Sequence, residues 1–256
     1  MHQVPKVSVI TVVYNGIAHL EQTIRSVINQ TYENIEYIII DGGSTDGTVE
    51  LLEKYDEYID YWVSEKDSGI YDAMNKGISK ATGEIVGLIN ADDWYEKDAV
   101  ANVVENFINS NSDVVHGSMR IIKESGDSFV KKVETDLSTF SKGMLLNHPT
   151  VFVKRTLYER YGYFNTNYKI VADWELMLRW WLQGISFVGV NATLANFRMG
   201  GASSAHLKKS LEEKHCVREE NALIQVIDWY YLYDRVKSLL PASLLLEISL
   251  QRQKRV

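Results

Sequence analysis

Apolar positions along the first hundred residues alternate between two spacings. Val7 to Val13 is a β-branched, apolar run, and Ile17, Leu20, Ile24, Val27 and Ile28 then step by three and four along one helical face. Ile35 to Ile40 is a second run that ends at Asp41-Gly42-Gly43-Ser44-Thr45-Asp46-Gly47, and Val49, Leu51, Leu52 and Tyr55 predict a short helix after it. Tyr61-Trp62-Val63 reads as a brief third strand. Ile70, Ala73, Met74, Gly77, Ile78 and Ala81 form a helical stripe that closes at Thr82-Gly83, and Ile85 to Ile89 is a fourth strand. Four strands separated by helices predict right-handed crossovers and a mainly parallel sheet, an α/β fold whose functional loops gather at the strands' C-terminal ends. Asp41, Asp67 and Asp92 are thereby expected on one rim.

The alternation weakens afterwards. Lys97 to Ile108 reads as a helix and Val114-Val115 as strand, while Met119 to Lys123 and Phe129 to Val133 flank Glu124-Ser125-Gly126-Asp127, a hairpin turn. Tyr158 to Tyr163 and Asp173 to Leu182 predict helices, Thr193 to Arg198 a strand, and a helical tract of mixed charge begins near Leu207. No internal repeat or low-complexity linker interrupts the chain.

At 256 residues with 45% hydrophobic content, one large domain with an appendage is the expected organisation. The 27 Lys and Arg against 34 Asp and Glu give a net charge of -7, which argues against a broad grip on nucleic acid, so a phosphate ligand needs a local device. Cys216 is the single cysteine and suits a reducing, cytoplasmic setting; no Cys/His cluster has zinc spacing. The N-terminus lacks a basic region and a small-residue cleavage site, and no window reaches the roughly 20 apolar residues of a bilayer span.

Asn90-Ala91-Asp92-Asp93 sets two adjacent carboxylates at the end of the fourth strand. Such a pair either caps the following helix, where Asp is favoured, or takes a hard divalent cation, which prefers oxygen donors. From the tetrapeptide alone both readings stay open.

The segments Ser8-Val9-Ile10-Thr11-Val12-Val13-Tyr14-Asn15, Ser26-Val27-Ile28-Asn29-Gln30-Thr31-Tyr32, Asp41 to Thr48 and Asn90 to Asp93, in this order and spacing, resemble family 2 glycosyltransferases with the GT-A fold. His148-Pro149-Thr150, Ala172-Asp173-Trp174-Glu175 and Gly200-Gly201-Ala202-Ser203 extend the resemblance over about residues 5 to 205. It implies a Rossmann-like sheet in α/β/α layers over 1–205, with a nucleotide-binding half at about 5–95, an acceptor half at about 96–205, and a C-terminal helical extension over 206–256.

The resemblance also implies roles. Thr11, Val13 and Tyr14 at the first strand's end and Asp41 at the second's would hold the nucleobase, with Tyr14 stacking on it. Asp67 and Asn75 would reach the nucleotide, though helix capping explains Asp67 equally well. The family's Asp-any-Asp signature begins here with Asn90, a departure; Asn90 and Ala91 would face the ribose, and Asp92 would bind Mn2+ or Mg2+ with Asp93 assisting directly or through water. Asp173 would take the proton of the acceptor hydroxyl, with Glu175 as the alternative base. His148 would meet the diphosphate or the metal, or serve as a buried structural histidine. Gly201, in a pliant loop followed by His206 and Lys208, would close over the diphosphate.

The activity so implied is metal-dependent, inverting transfer from a nucleotide-sugar donor, a UDP-sugar, to a saccharide or lipid-linked saccharide acceptor in bacterial polysaccharide assembly. The rival is a protein of the same fold that binds nucleotide-sugar without turnover, for which Asn90 is the sign. A dinucleotide-dependent oxidoreductase is disfavoured because no Gly-x-Gly-x-x-Gly follows the first strand. The tail, with Trp229-Tyr230-Tyr231-Leu232-Tyr233, a Leu-rich stretch and a basic end, suits peripheral contact with an anionic membrane, homodimerisation, or packing back onto the core.

Overall fold

A computed structural model describes residues 4–200, 207–224, 231–232 and 236. Strands β1 (Val7–Val13), β2 (Ile35–Asp41), β3 (Tyr61–Ser64) and β4 (Ile85–Asn90) alternate with helices α1 (Leu20–Ile28), α2 (Thr48–Lys54) and α3 (Ile70–Lys80). They pair in parallel in the order β3-β2-β1-β4. Past β4 come β5 (Trp94–Tyr95), α4 (Ala99–Ser110), β6 (Val114–Ile122), β7 (Ser128–Lys131), β8 (Phe152–Lys154), α5 (Thr156–Tyr161), α6 (Ala172–Leu182), β9 (Phe187–Arg198) and α7 (Leu207–Glu220).

The sheet continues β4-β8-β6-β9-β5, with β7 on β6 as the expected hairpin. β8 is antiparallel to both β4 and β6, and β9 runs parallel to β6, so β1 to β4, β6 and β9 share one direction while β5, β7 and β8 oppose it. β8 enters next to β4 because Gly87, which pairs with Phe152, has no side chain: a Cβ there would overlap the Phe152 ring.

The central strands are buried on both faces, and strand alternation divides their side chains between two cores. Ile10, Val12, Ile38, Ile40, Val86 and Leu88 pack with α3, α5 and α6 through Met74, Leu157, Tyr158 and Trp174. Val7, Val9, Ile39, Ile85 and Ile89 pack with α1, α2 and α4 through Leu20, Ile24, Leu52 and Val103. The result is the expected three-layer α/β/α arrangement. Val217 of α7 belongs to the first core.

β5 removes the helix-cap reading of the acidic pair. The helix that Asp92 and Asp93 would cap does not begin until Ala99, with Asp98 at its N-cap, and a strand paired to β9 intervenes. A two-residue strand is too short to show a hydrophobic period.

Among the described residues, no helix is long and apolar enough to cross a membrane. Gly201, His206 and most of the aromatic and Leu-rich tail lie outside the described residues. Lys208 sits on α7, beside Glu212 at 3.9 Å.

Candidate active site

The loops after β1 and β2 brace each other where the parallel strands end. Asn15 adopts a left-handed conformation (φ 50°), which Asn tolerates better than most side chains. Its N–H donates to Ser44 Oγ at 2.7 Å and its Oδ1 accepts Thr45 N–H at 2.9 Å. Asp46 accepts from Ile17 N and from Thr48 N, both at 3.1 Å, and from Thr48 Oγ1 at 2.6 Å. The Asp41-to-Thr48 motif is thus a scaffold for the first loop.

The turn after β4 is fixed from α1. Thr23 is buried, and its hydroxyl faces the carbonyls of Ala91 (2.8 Å) and Asp93 (2.6 Å), while Asp93 N–H donates to Asn90 O at 3.1 Å. These contacts leave Asn90, Ala91 and Asp92 facing a cleft of about 640 Å³ at the C-terminal ends of β1 and β4. Val13, Tyr14, Asp67, Tyr71, His148, Lys169 and Asp173 also line it.

Most of the expected residues therefore share one cleft, in distinct states. Tyr14 is 68% exposed, so its ring presents an open face. Asp67 Oδ1 accepts Gly69 N–H at 2.8 Å, and its other oxygen lies close to Gly42, where a Cβ would press on both Asp67 and the Tyr14 ring. Asp92 makes no side-chain hydrogen bond or ion pair among the described residues. Asn90 Oδ1 is buried without any hydrogen-bond partner, an uncommon and costly condition for a buried acceptor.

Asp173 stands in the first turn of α6, with Tyr71 Oη 3.3 Å from its Oδ1. That hydroxyl donates to Ile170 O at 2.9 Å. Burial, then the Asp173 charge, push the Tyr71 pKa far above its ordinary value, so this phenol stays protonated and cannot be the base. Burial lowers the His148 pKa against the opposing pull of Asp173, leaving a neutral imidazole at pH 7, edge-on to Phe164 at 6.3 Å.

Five expected side chains do not reach the cleft. Thr11 is buried within the sheet, its hydroxyl 3.1 Å from Tyr37 Oη. Asp41 is fully enclosed: its carboxylate accepts from Gly43 N (3.1 Å), Ser44 N (2.9 Å), Ser64 Oγ (2.5 Å) and Ser44 Oγ, so its oxygens are engaged by its own turn and by β3. Asn75 bonds reciprocally to Phe164, donating to its carbonyl at 2.9 Å and accepting its N–H at 3.0 Å. Asp93 is 0% exposed and turns behind the cleft to accept Arg198 N–H at 3.0 Å; burial and then the neighbouring Asp92 raise its pKa to about 8. A direct contact from Asp93 to a cation in the cleft does not fit this position. Glu175, the alternative base, is buried in an ion pair with Arg179 at 3.0 Å.

Tyr71, Lys169 and His19 are cleft residues that sequence reasoning passed over. Tyr71 shares the helical spacing of Met74 and Ile78, so the apolar stripe that marked α3 contained it. Lys169 sits in an irregular segment with no periodic signal.

Among the described residues, no group of three or more His, Cys, Asp or Glu is arranged to hold a metal ion. The cleft still suits a hard cation that arrives with phosphate. Mg2+ and similar ions bind through one or two protein oxygens and complete their shells with phosphate and water, and Asp92 with the unpartnered Asn90 Oδ1 supplies that donor set.

Comparison with known proteins converges on one group. The family described as Glycosyl transferase family 2 matches residues 8–171. An uncharacterized glycosyltransferase of Mycobacterium tuberculosis is 33% identical over 183 residues, 70% of each chain. A PGL/p-HBAD biosynthesis glycosyltransferase of Mycobacterium bovis is 31% identical over 181 residues, 68% of this chain and 69% of its own. Among solved structures, S. aureus TarS 1-349 in complex with UDP-GlcNAc superposes with a TM-score of 0.71 at 17% identity, covering 88% of this chain and 69% of that one. The mannosyltransferase PcManGT from Pyrobaculum calidifontis, in complex with GDP-Man and Mn2+, gives 0.68 at 20% identity, covering 90% and 68%.

Proposed function

This chain belongs to glycosyl transferase family 2, and on that footing we propose that it transfers a sugar from a UDP-sugar to a hydroxyl of a saccharide or lipid-linked saccharide, with inversion at the anomeric carbon and with a divalent cation. The observation that carries the reading is the pairing, in one cleft, of the unpartnered Asn90 Oδ1 and Asp92 with a separate carboxylate, Asp173, at the start of α6.

Tyr14 offers its exposed ring to the nucleobase, beside Asp67 and the bare backbone of Gly42. Asn90 and Asp92 are the residues that would hold the cation, which when bound neutralises charge on the departing diphosphate. Asp173 accepts the proton of the acceptor hydroxyl as that oxygen bonds to the anomeric carbon. The bond from the anomeric carbon to the diphosphate oxygen breaks, and UDP leaves with the electron pair. Attack from the face opposite the leaving group inverts the centre. Tyr71 stays protonated, and neutral His148, which lines the same cleft, would hydrogen-bond at the diphosphate without adding charge. UDP is favoured because TarS, of the same fold, is described in complex with UDP-GlcNAc, and Mn2+ because PcManGT is described with it.

A thermal-shift screen of UDP, GDP and UDP-sugars with Mn2+ tests the donor class. Stabilisation by UDP compounds with Mn2+, together with slow UDP release, is the expected result. UDP binding with no turnover on any donor or acceptor would establish the non-catalytic binding protein instead.

A further inference from the structure

The helix that precedes the undescribed tail reaches the active site through one carboxylate. Glu213 of α7 is only 8% exposed, and its Oε1 accepts Lys169 N–H at 2.9 Å while Oε2 accepts Ile170 N–H at 2.9 Å and Val171 N–H at 3.2 Å. These three amides belong to the segment that leads directly into α6. Val171 occupies the N-cap and has no side-chain oxygen, so the helix carries no cap of its own. The Glu213 carboxylate, from another helix, instead fixes the segment just before α6 through these three backbone N–H bonds.

The held segment is the one that carries the site. Residue 170 is gripped from both sides, its N–H by Glu213 and its carbonyl by the Tyr71 hydroxyl at 2.9 Å. Lys169 lines the cleft with Nζ 3.3 Å from Ser68 O, and Asp173 follows Val171 by two residues. α7 is itself anchored: Val217 and Leu211 are buried, Glu220 accepts from Tyr168 Oη at 2.7 Å, and Arg218 Nη1 donates to Lys142 O at 3.4 Å.

We propose that Glu213 is the positioning residue for Asp173 and Lys169, so that α7, which lies beyond the residues of the family match, is a working part of the active site. This rests on the reading of Asp173 as the base. The carboxylate touches no substrate; it fixes the segment on which the reacting group stands, and a displacement of about 1 Å at such a group costs about a hundredfold in rate.

The test compares Glu213→Gln, Glu213→Ala and Asp173→Asn in the full chain, measuring kcat for UDP release from UDP-sugars and affinity for UDP with Mn2+. Glu213→Ala is expected to lower kcat about a hundredfold and Glu213→Gln about tenfold, with UDP affinity within about twofold of the parent. A purely structural role would lower Tm without separating kcat from binding. Hydrogen exchange on the unmodified protein provides a readout that needs no activity: amides 169–171 should be protected to the level of α7 itself and lose protection in Glu213→Gln. Parental kcat in folded Glu213→Ala, or loop-like exchange of 169–171 in the unmodified protein, overturns the assignment. If Asp173→Asn alone keeps full activity, the base reading fails and the exchange result decides the role of Glu213.

Discussion

Glu36 allows a stability prediction worked from contacts. It lies on β2, 7% exposed, and its carboxylate accepts from Ser8 Oγ (2.5 Å), Thr82 N (2.8 Å), Thr82 Oγ1 (2.5 Å) and Lys6 Nζ (2.9 Å). Ser8 Oγ in turn accepts Gly83 N–H at 2.9 Å, so one carboxylate ties β1, β2 and the α3–β4 connection together at the end of the sheet away from the cleft. Burial alone would raise the Glu36 pKa, but the donors from Ser8, Thr82 and Lys6 outweigh it and bring the value from 4.5 down to about 2. At about 1.4 kcal/mol per pH unit, that difference corresponds to about 3 kcal/mol. Because the folded pKa is the depressed one, this stability is fully present above the unfolded value of about 4.5 and is lost as pH falls toward 2.

Glu36→Gln should therefore destabilise the protein by about 2–3 kcal/mol at pH 7, since the amide's NH2 faces donors that need an acceptor. Urea unfolding followed by the fluorescence of the buried Trp174 and Trp180 measures it. The gap between variant and parent should narrow steadily from pH 4.5 to pH 2.5, where other carboxylates titrate alike in both. A gap below about 0.5 kcal/mol at pH 7, or one independent of pH, would show that the Glu36 carboxylate does not hold these elements together.

Other predictions concern packing and chemistry. Asp173→Asn should keep UDP affinity and lose about 10²–10⁴ in kcat for sugar transfer, as removal of a general base does; transfer at the parental rate rules Asp173 out. Gly87→Ala should destabilise by about 1–3 kcal/mol, because the new methyl overlaps Phe152 on β8; denaturant midpoints check this, and parental stability would mean β8 can shift. Asn90→Asp adds a carboxylate where a neutral amide oxygen stands unpartnered, and should lower the Mn2+ concentration for half-maximal UDP release about tenfold; an unchanged value would remove Asn90 from the cation's surroundings.

The first half of the fold was legible because its strands are buried on both faces and its helices carry single apolar stripes. Val7–Val13, Ile35–Asp41 and Ile85–Asn90 fall within a residue of where their apolar runs place them. The second half was not, since β5 and β8 span two and three residues and owe their existence to pairing with β9, β4 and β6. In the site, position at a strand end located Tyr14 and Asp92 on the cleft, and the family resemblance located Asp173 there, but neither could tell which carboxylates point into it. Asp41 ends β2, and Asp92 follows the end of β4 by two residues. Only the hydrogen bonds show that the first is engaged by Gly43, Ser44 and Ser64 while the second has no side-chain partner among the described residues. Glu213 was out of reach because it acts on backbone amides some 40 residues earlier, and such a contact leaves no spacing in the sequence.

In the proposed reaction the β4 turn gathers a cation and a nucleotide diphosphate opposite a separate base. The most direct measurement of this is UDP release from a panel of UDP-sugars, with EDTA and with Mn2+, by the unmodified protein and by Asp92→Ala. Release that depends on Mn2+ and falls by about 10³ or more in Asp92→Ala is the expected result. Release that is unaffected by EDTA, or that Asp92→Ala retains in full, would contradict it.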